Sequence, residues 1–308
     1  MPSVPDRVGL AGIGDEAAPD LPGQLAALAE LGWDRLELRS IDGTAVAAME
    51  ERAFAQAAEQ ILDAGITVVA VASRIGDWSR PATADFSWDL DELEVLARRC
   101  RVLGTRLVRI MSYPSGGLAD ADWKRLVHAR VRELVHRAED AGLVLAHENC
   151  AGWAGDDAER ALELVEVVDS PALRLLFDTG NGVAHGYHAP DMLRELVDHV
   201  VHVHVKDAVS GPGGRVDYVL PGAGESGTAE CLRLLARHGY DGTLSIEPHL
   251  HLRPHLRGQG ADPGSGDPDA FVAYGRALAR LLGHALHPVP ATPPAREVTG
   301  PPPRPTRR

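Results

Sequence analysis

Short apolar segments alternate with longer amphipathic segments along most of the chain. The short segments are rich in branched aliphatic residues and predict eight β-strands, at residues 7–13, 35–38, 66–72, 105–111, 143–148, 173–178, 200–206 and 243–247. The longer segments space their apolar positions as helices with one packed face do. The clearest of them are residues 21–32, 91–104 and 122–142. Several end in a glycine just before the next strand, a common left-handed helix end.

The regular alternation of strand and helix predicts a parallel sheet. Eight such units over residues 1–284 predict an α/β fold of the (β/α)8, or TIM barrel, type in a single domain. A doubly wound open sheet is the alternative fold. The first strand is followed by GIGDEAAPD, which lacks the GxGxxG pattern, so a dinucleotide site is not indicated.

The end of the chain has a different composition. Residues 285–308 contain eight of the 22 prolines and finish in a basic cluster, which predicts a disordered tail. The segment 248–267 follows the last strand and predicts a long loop. In a barrel such a loop lies over the catalytic face, which makes it a candidate lid.

The net charge, the cysteines and the lack of long apolar runs indicate which partners and which location to expect. The net charge of −13, with no basic stripe in the folded part, argues against a nucleic-acid partner. Three widely separated cysteines indicate free thiols in a cytoplasmic protein. No apolar run approaches the roughly 20 residues of a membrane span, and the first residues lack a signal-peptide pattern. We therefore expect no membrane partner.

Four consecutive predicted strands carry a potential metal ligand at or near their C-terminal ends. These ligands are Glu148, Asp178, His204 and Glu247. In a parallel barrel all these ends open onto one face, and buried ionised groups are costly unless they are paired or bound to metal. Three carboxylates and one imidazole suit Mn²⁺, Mg²⁺ or Co²⁺. Taken singly, each could instead cap a helix or fill the core, and a register slip of one residue would turn a side chain away.

Further polar residues near the strand ends are candidates for substrate binding. They are Arg39, Arg109, Asn181, His185, Lys206 and His249. A cationic side chain there can hold a hydroxyl, carboxylate or phosphate group, but it can equally serve as a structural ion-pair partner. His249, His251 and His255 are candidates for a second metal site. This signal is weak because the three lie on an irregular loop.

The motifs HENC, FDTGN, HVHVKD and SIEPH resemble those of the xylose-isomerase-like superfamily of sugar phosphate isomerases and epimerases. That group includes ketose 3-epimerases, inosose isomerase and inosose dehydratase, and the resemblance runs from about residue 8 to 284. It implies one divalent cation, commonly Mn²⁺, with Mg²⁺, Co²⁺ or Zn²⁺ as alternatives, bound by the four ligands. It also implies that Glu148 and Glu247 exchange the substrate proton, and that the chain forms a homo-oligomer.

The resemblance implies an enzyme that removes a proton next to the carbonyl of a sugar or polyol ketone and forms a metal-stabilised enediolate. Isomerisation or epimerisation is the first expectation, and a dehydrating or eliminating lyase is the alternative. Asn181 stands where the epimerases usually carry histidine, which weighs against 3-epimerisation of a free ketose. An apurinic-site endonuclease would need about three metals and a basic face for DNA. The third possible class of function is a binding protein without catalytic turnover. The presence of all four candidate ligands argues against this class.

Overall fold

The computed structural model describes residues 8–253 and 264–286. In chain order the strands are β1 Gly9–Ile13, β2 Arg35–Leu38, β3 Ser40–Ile41, β4 Thr44–Ala45, β5 Thr67–Ala72, β6 Leu107–Ser112, β7 Val144–Gly152, β8 Leu173–Asp178, β9 Val200–Val205, β10 Ala208–Ser210, β11 Val216–Tyr218 and β12 Thr243–Ile246. Eight of them form a closed parallel barrel in the order β1-β12-β9-β8-β7-β6-β5-β2. The remaining four form two short antiparallel hairpins, β3–β4 and β10–β11.

Helices surround the barrel. They are α1 Leu21–Leu31, α2 Glu51–Asp63, α3 Ser87–Leu103, α4 Asp120–Ala141, α5 Ala158–Val168, α6 Asn181–His185, α7 Ala189–Leu196, α8 Thr228–Arg237 and α9 Pro268–Leu286. The predicted glycine ends are present: Gly32, Gly104 and Gly142 each follow a helix in the left-handed conformation. Among the described residues, no helix is both long and apolar enough to span a bilayer.

The aliphatic core lies between the strands and the helices. Val108, Leu145 and Leu175 on neighbouring strands are buried in one cluster with Leu134 and Leu164 of the covering helices. Parallel strands covered in this way are apolar along most of their length. Polar residues inside the barrel therefore stand out, and they gather at the C-terminal ends of the strands.

The predicted barrel is confirmed, and the open sheet is excluded by the pairing of β1 with β12. Two details of the strands differ from the sequence prediction. The fifth barrel strand does not end at Glu148 but continues to Gly152, because a register shift lets Ser112 of β6 pair with Gly152. The hairpins were not predicted, since strands of two or three residues carry no readable periodicity.

The C-terminal boundary also differs. Helix α9 extends to Leu286, so the first two residues of the predicted tail 285–308 are helical. The rest of that segment lies outside the described residues, as do residues 254–263 of the predicted loop 248–267. The division into a domain and a disordered tail stays a prediction.

Candidate metal centre and substrate pocket

The barrel brings the four predicted metal ligands together. Glu148 lies in β7, Asp178 ends β8, His204 lies in β9 and Glu247 directly follows β12. One ligand atom from each lies within 4.8 Å of all the others. The four side chains are buried. Four adjacent strands thus direct one donor each to a single point at the mouth of the barrel.

The environment of these donors fits a divalent cation. The Nδ1 atom of His204 lies 3.6 Å from an oxygen of Glu148, 3.6 Å from one of Glu247 and 4.0 Å from one of Asp178. These distances are too long for hydrogen bonds, but they suit donor atoms around one ion. Among the described residues, His204 Nδ1 and Asp178 Oδ2 have no hydrogen-bond partner although both are buried. Such atoms are costly unless something binds them.

The orientation of His204 is set by Glu37 on β2. The Nε2 atom of His204 lies 2.9 Å from Glu37 Oε1, and His202 Nε2 lies 2.7 Å from Oε2 of the same carboxylate. An ionised carboxylate only accepts hydrogen bonds, so both imidazoles donate through Nε2. Nδ1 of His204 therefore faces the ligand cluster, where a bound cation would take the place of its proton.

A set of cations surrounds the acidic cluster. Arg39 donates from Nε to Asp15 at 3.0 Å, from Nη1 to Glu247 at 2.9 Å and from Nη2 to Glu16 at 2.7 Å. Lys206 Nζ lies 2.7 Å from Glu247 Oε2. It also lies 3.0 Å from Asp178 Oδ2, without hydrogen-bond alignment.

The buried groups near the ligand cluster are unbalanced in charge. Arg109 Nη1 lies 3.5 Å from Glu148 Oε2 and is the third cation beside Arg39 and Lys206. The carboxylates around them number five: Asp15, Glu16, Glu148, Asp178 and Glu247. Carboxylates thus outnumber the arginine and lysine side chains beside the ligand cluster, which favours the binding of a cation there.

The carboxylates perturb one another's pKa values. Burial raises the pKa of Asp178, as do neighbouring Glu247 and Glu148, and Lys206 opposes this rise only in part. For Glu148, burial is outweighed by contact with His204 and by the charge of Arg109, which lower the pKa to about 2. Lys206 likewise holds the pKa of Glu247 well below its usual range despite burial. A bound cation would relieve the repulsion felt at Asp178.

A cavity of about 270 Å³, here called the inner cavity, opens beside the ligand cluster. All six residues predicted to bind substrate line it: Arg39, Arg109, Asn181, His185, Lys206 and His249. Glu148 and Glu247 also face this cavity. The structure therefore gathers the predicted residues at one pocket, and their contact with a substrate stays a prediction.

Several of these six side chains already have protein partners. Asn181 Nδ2 donates to Glu148 Oε1 at 3.2 Å and to the carbonyl of Asn149 at 3.1 Å. Asn181 is the first residue of helix α6. Arg39 and Lys206 are held by carboxylates, as described above. By contrast, the buried Nε of Arg109 has no hydrogen-bond partner among the described residues.

The histidines of the last loop have separate surroundings. His249 Nδ1 lies 3.0 Å from Glu16, and its φ of 51° is a strained value for a residue other than glycine. The exposed imidazole of His251 lies 3.8 Å from Asp267. His255 lies outside the described residues. The structure thus directs His249 and His251 to different partners and does not bring this pair together as a second metal site.

Several residues of the site were not among the sequence predictions. Trp78, Met111, Cys150 and Tyr218 line the inner cavity. Burial, and then Glu148, raises the pKa of Cys150, so its thiol stays protonated. Asp15 and Glu16 lie in the sequence GDE, directly after the C-terminal end of the first strand. The four candidate metal ligands were predicted from the same kind of position, at the C-terminal end of a strand. The sequence could therefore have indicated Asp15 and Glu16 as site residues. Trp78 and Tyr218 lie outside any periodic pattern, so the sequence does not indicate them.

A closed (β/α)8 barrel with an acidic and imidazole cluster at its mouth defines the class of protein. The chain belongs to the xylose isomerase-like TIM barrel family, whose sequence pattern matches residues 25–264. It is 34% identical over 178 residues to 2-epi-5-epi-valiolone 7-phosphate 2-epimerase from Actinoplanes sp., covering 56% of this chain and 61% of that protein. It is 31% identical over 90 residues to inosose dehydratase from Geobacillus kaustophilus, covering 29% of each. The chain thus spans less than two thirds of either relative.

Solved structures share the fold. D-allulose 3-epimerase from Methylomonas sp., in complex with D-allulose, superposes with a TM-score of 0.70 at 16% identity, covering 91% of this chain and 98% of that one. A probable 3-DHS dehydratase from Bacillus anthracis gives 0.66 at 18% identity, covering 89% and 98%. A xylose isomerase-like TIM barrel protein from Mycobacterium smegmatis, in complex with magnesium, gives 0.66 at 18% identity, covering 91% and 98%.

Proposed function

We propose that the protein is a divalent-metal-dependent isomerase or epimerase of a sugar or polyol ketone, acting by proton transfer at the carbon next to the carbonyl. One observation carries the proposal. Two buried glutamates, Glu148 and Glu247, face one cavity, and each lies 3.6 Å from the same nitrogen of His204.

Glu148, Asp178, His204 and Glu247 would hold the cation. The donor set of three carboxylates and one imidazole favours Mn²⁺ or Mg²⁺ over softer metals. When bound, such an ion polarises a carbonyl and acidifies the neighbouring C–H. The magnesium complex of the Mycobacterium smegmatis protein supports a hard cation in this fold.

The two glutamates are the proton carriers in this proposal. Asn181 fixes Glu148 through its amide, and Arg39 and Lys206 fix Glu247. A carboxylate held in this way can remove a proton from substrate carbon without first reorienting. Return of the proton to the opposite face of that carbon gives an epimer, and return to the neighbouring carbon gives an isomer.

Arg109 orients the substrate. Its guanidinium is buried, yet its Nε has no acceptor among the described residues. A buried donor without a partner is unfavourable, so a substrate oxygen that accepts from it gains binding energy. Arg109 neighbours Glu148, and the same contact therefore places substrate beside one of the two proton carriers.

A lyase is the second candidate function. It shares the first proton removal and then expels a hydroxyl from the adjacent carbon. The ammonium of Lys206 lies in the inner cavity beside Glu247 and can protonate that leaving group. The inosose dehydratase among the relatives supports this alternative.

Incubation of Mn²⁺-loaded protein with ketoses, inososes and keto-glycosides in D₂O tests the proposal. We expect deuterium by NMR at the carbon next to the carbonyl, with loss of water only if the enzyme is a lyase. Glu148→Gln and Glu247→Gln should each abolish exchange, whereas Glu94→Gln, on the exposed face of α3, should not. Absence of exchange with every ketone in metal-loaded protein would sink the proposal.

A further inference from the structure

A second cavity, here called the outer cavity, lies next to the inner cavity. Its volume is about 360 Å³, and Arg39, Trp78 and Arg109 line both cavities. The hairpin β3–β4 and the loop after β5 supply most of its remaining wall, including Thr44 and Arg74. The two spaces thus share a wall of side chains, and the unpaired donor of Arg109 belongs to that wall.

Each of the three guanidinium groups that line the outer cavity has a carboxylate within 4 Å. Arg39 lies 2.8 Å from Asp15, and Arg109 lies 3.5 Å from Glu148. Arg74 has its carboxylate partner in Asp77, at 3.8 Å. Each guanidinium therefore has a counter-charge in the protein. Such a lining favours a neutral polar ligand over a phosphate or carboxylate, which would need an uncompensated cation.

The lining combines a flat aromatic ring with hydrogen-bonding groups. Trp78 is partly buried and faces both cavities. Thr44 and Arg74 place a hydroxyl and a guanidinium on the outer side, whereas the hydroxyls of Ser73 and Ser79 already donate to the Arg109 carbonyl and to Asp77. A large amphipathic ring binds an apolar face while nearby polar groups bind hydroxyls. The C–H face and the hydroxyl rim of a sugar ring match this arrangement.

The volumes of the two cavities leave room for a ligand that extends through both. Cavities that enclose a whole ligand measure roughly 300–1,000 Å³. The inner cavity falls just below this range at about 270 Å³. One sugar ring that carries the ketone fits in the inner cavity beside the ligand cluster. A substituent on that ring then extends past Trp78 into the outer cavity.

We propose that the outer cavity is a subsite for a second, neutral sugar ring, so that the substrate is a keto-glycoside instead of a free or phosphorylated ketose. This inference rests on the proposed function. Arg109 lies at the junction of the subsites and donates from Nε to an oxygen at the linkage between the rings. Trp78 stacks on one of the rings.

Calorimetric binding to Mn²⁺-loaded protein tests the subsite without turnover. The ligands are methyl glucoside as the one-ring probe and maltose, cellobiose and trehalose as two-ring probes. We expect at least one disaccharide to bind tenfold or more tightly than methyl glucoside. Trp78→Ala and Ala48→Trp, which fills the outer cavity from its rim, should remove that gain. Trp88→Ala, at an exposed tryptophan of α3, should retain it.

Two binding results would overturn the subsite. One is equal affinity for the one-ring and all the two-ring probes. The other is glucose 6-phosphate binding tenfold more tightly than every disaccharide, because that would assign an anion to the outer cavity.

Deuterium exchange separates failure of the subsite from failure of the proposed function. The substrates are a one-ring 3-keto methyl glucoside and the 3-keto derivative of the best disaccharide. We expect kcat/KM to be at least tenfold higher for the disaccharide, and Ala48→Trp should lower only that value. Exchange with equal kcat/KM on both would overturn the subsite but not the function. A disaccharide binding gain with no exchange on either substrate would overturn the function but not the subsite.

Discussion

Glu37 and His204 lie 167 residues apart in the chain and meet inside the barrel, where His204 Nε2 donates to Glu37 Oε1 at 2.9 Å. Both side chains are almost completely buried. A register shift between Leu36 and Glu37 in the pairing of β2 with β5 accompanies this contact. By this hydrogen bond Glu37, which is not one of the four candidate ligands, determines which nitrogen of His204 faces Glu148, Asp178 and Glu247.

Glu37→Gln should weaken metal binding while keeping the shape of the side chain. An amide has one oxygen, so it can accept from His202 or from His204, and its NH₂ group then faces the other Nε2–H. We expect the Kd for Mn²⁺ to rise by roughly 10- to 100-fold, as for other partners of metal-bound histidine. Competition with a chelator measures it. An unchanged Kd in a folded variant would mean that Glu37 does not position His204.

Removal of divalent metal should abolish deuterium exchange and lower the melting temperature. A cation held at one hundred times its Kd stabilises the folded state by about 2.7 kcal/mol. We expect a melting transition a few degrees lower after chelation, with full recovery on addition of Mn²⁺. Asp178→Asn should show a much smaller metal-dependent shift. Equal melting temperatures with and without metal in the unmodified protein would contradict a metal centre.

Lys206→Met should tighten metal binding and impair exchange. The ammonium lies 2.7 Å from Glu247 and 3.0 Å from Asp178, so it repels a cation held by the same carboxylates. Methionine keeps the length of the side chain without the charge. We expect a lower Kd for Mn²⁺ together with a lower kcat, because Glu247 loses a hydrogen bond that positions it. Lys124→Met, at a partly exposed ion pair with Glu163, is the control. Weaker Mn²⁺ binding would show that the ammonium supports the metal centre.

Gly180→Ala should disturb the site through a steric contact. A Cβ atom at Gly180 would lie 2.7 Å from both Cβ and Cγ of Lys206, although the backbone there, with φ of −103°, accepts alanine. Overpacking of this kind costs roughly 1–3 kcal/mol. We expect lower stability in urea unfolding and a fall in exchange. At Gly32, where φ is +69° and the space is open, alanine should lower stability without slowing exchange. Equal exchange rates in Gly180→Ala and the unmodified protein would contradict the steric role.

Most of the fold was predictable because buried parallel strands are apolar along their length. The eight barrel strands lie within two residues of their predicted bounds, except the end of β7. The cluster of candidate metal ligands was predictable for a related reason, since ionised residues at the ends of apolar strands are conspicuous. Their convergence agrees with the sequence prediction, whereas their roles, the cytoplasmic location, the absence of a nucleic-acid partner and the homo-oligomer stay predictions.

The remainder of the site depends on contacts that no local pattern encodes. Glu16 meets His249 across 233 residues, because the two residues follow β1 and β12, which are neighbours in the barrel. The sequence indicates Asn181 as a substrate-binding residue but not its hydrogen bond to Glu148. That bond depends on the course of the chain between β8 and α6. Trp78 lies on a loop whose course is set by packing instead of by periodicity.

Arg39 joins residues that follow the first and the last strand, because it binds Asp15 and Glu16 after β1 and Glu247 after β12. Proteins are synthesised from the N-terminus, so β12 leaves the ribosome after every other strand of the barrel. A nascent chain that stops before Thr243 carries three of the four proposed metal donors but only one of the two proposed proton carriers. The proposed catalytic site can therefore be completed only late in synthesis, when the final strand is available to pair with the first.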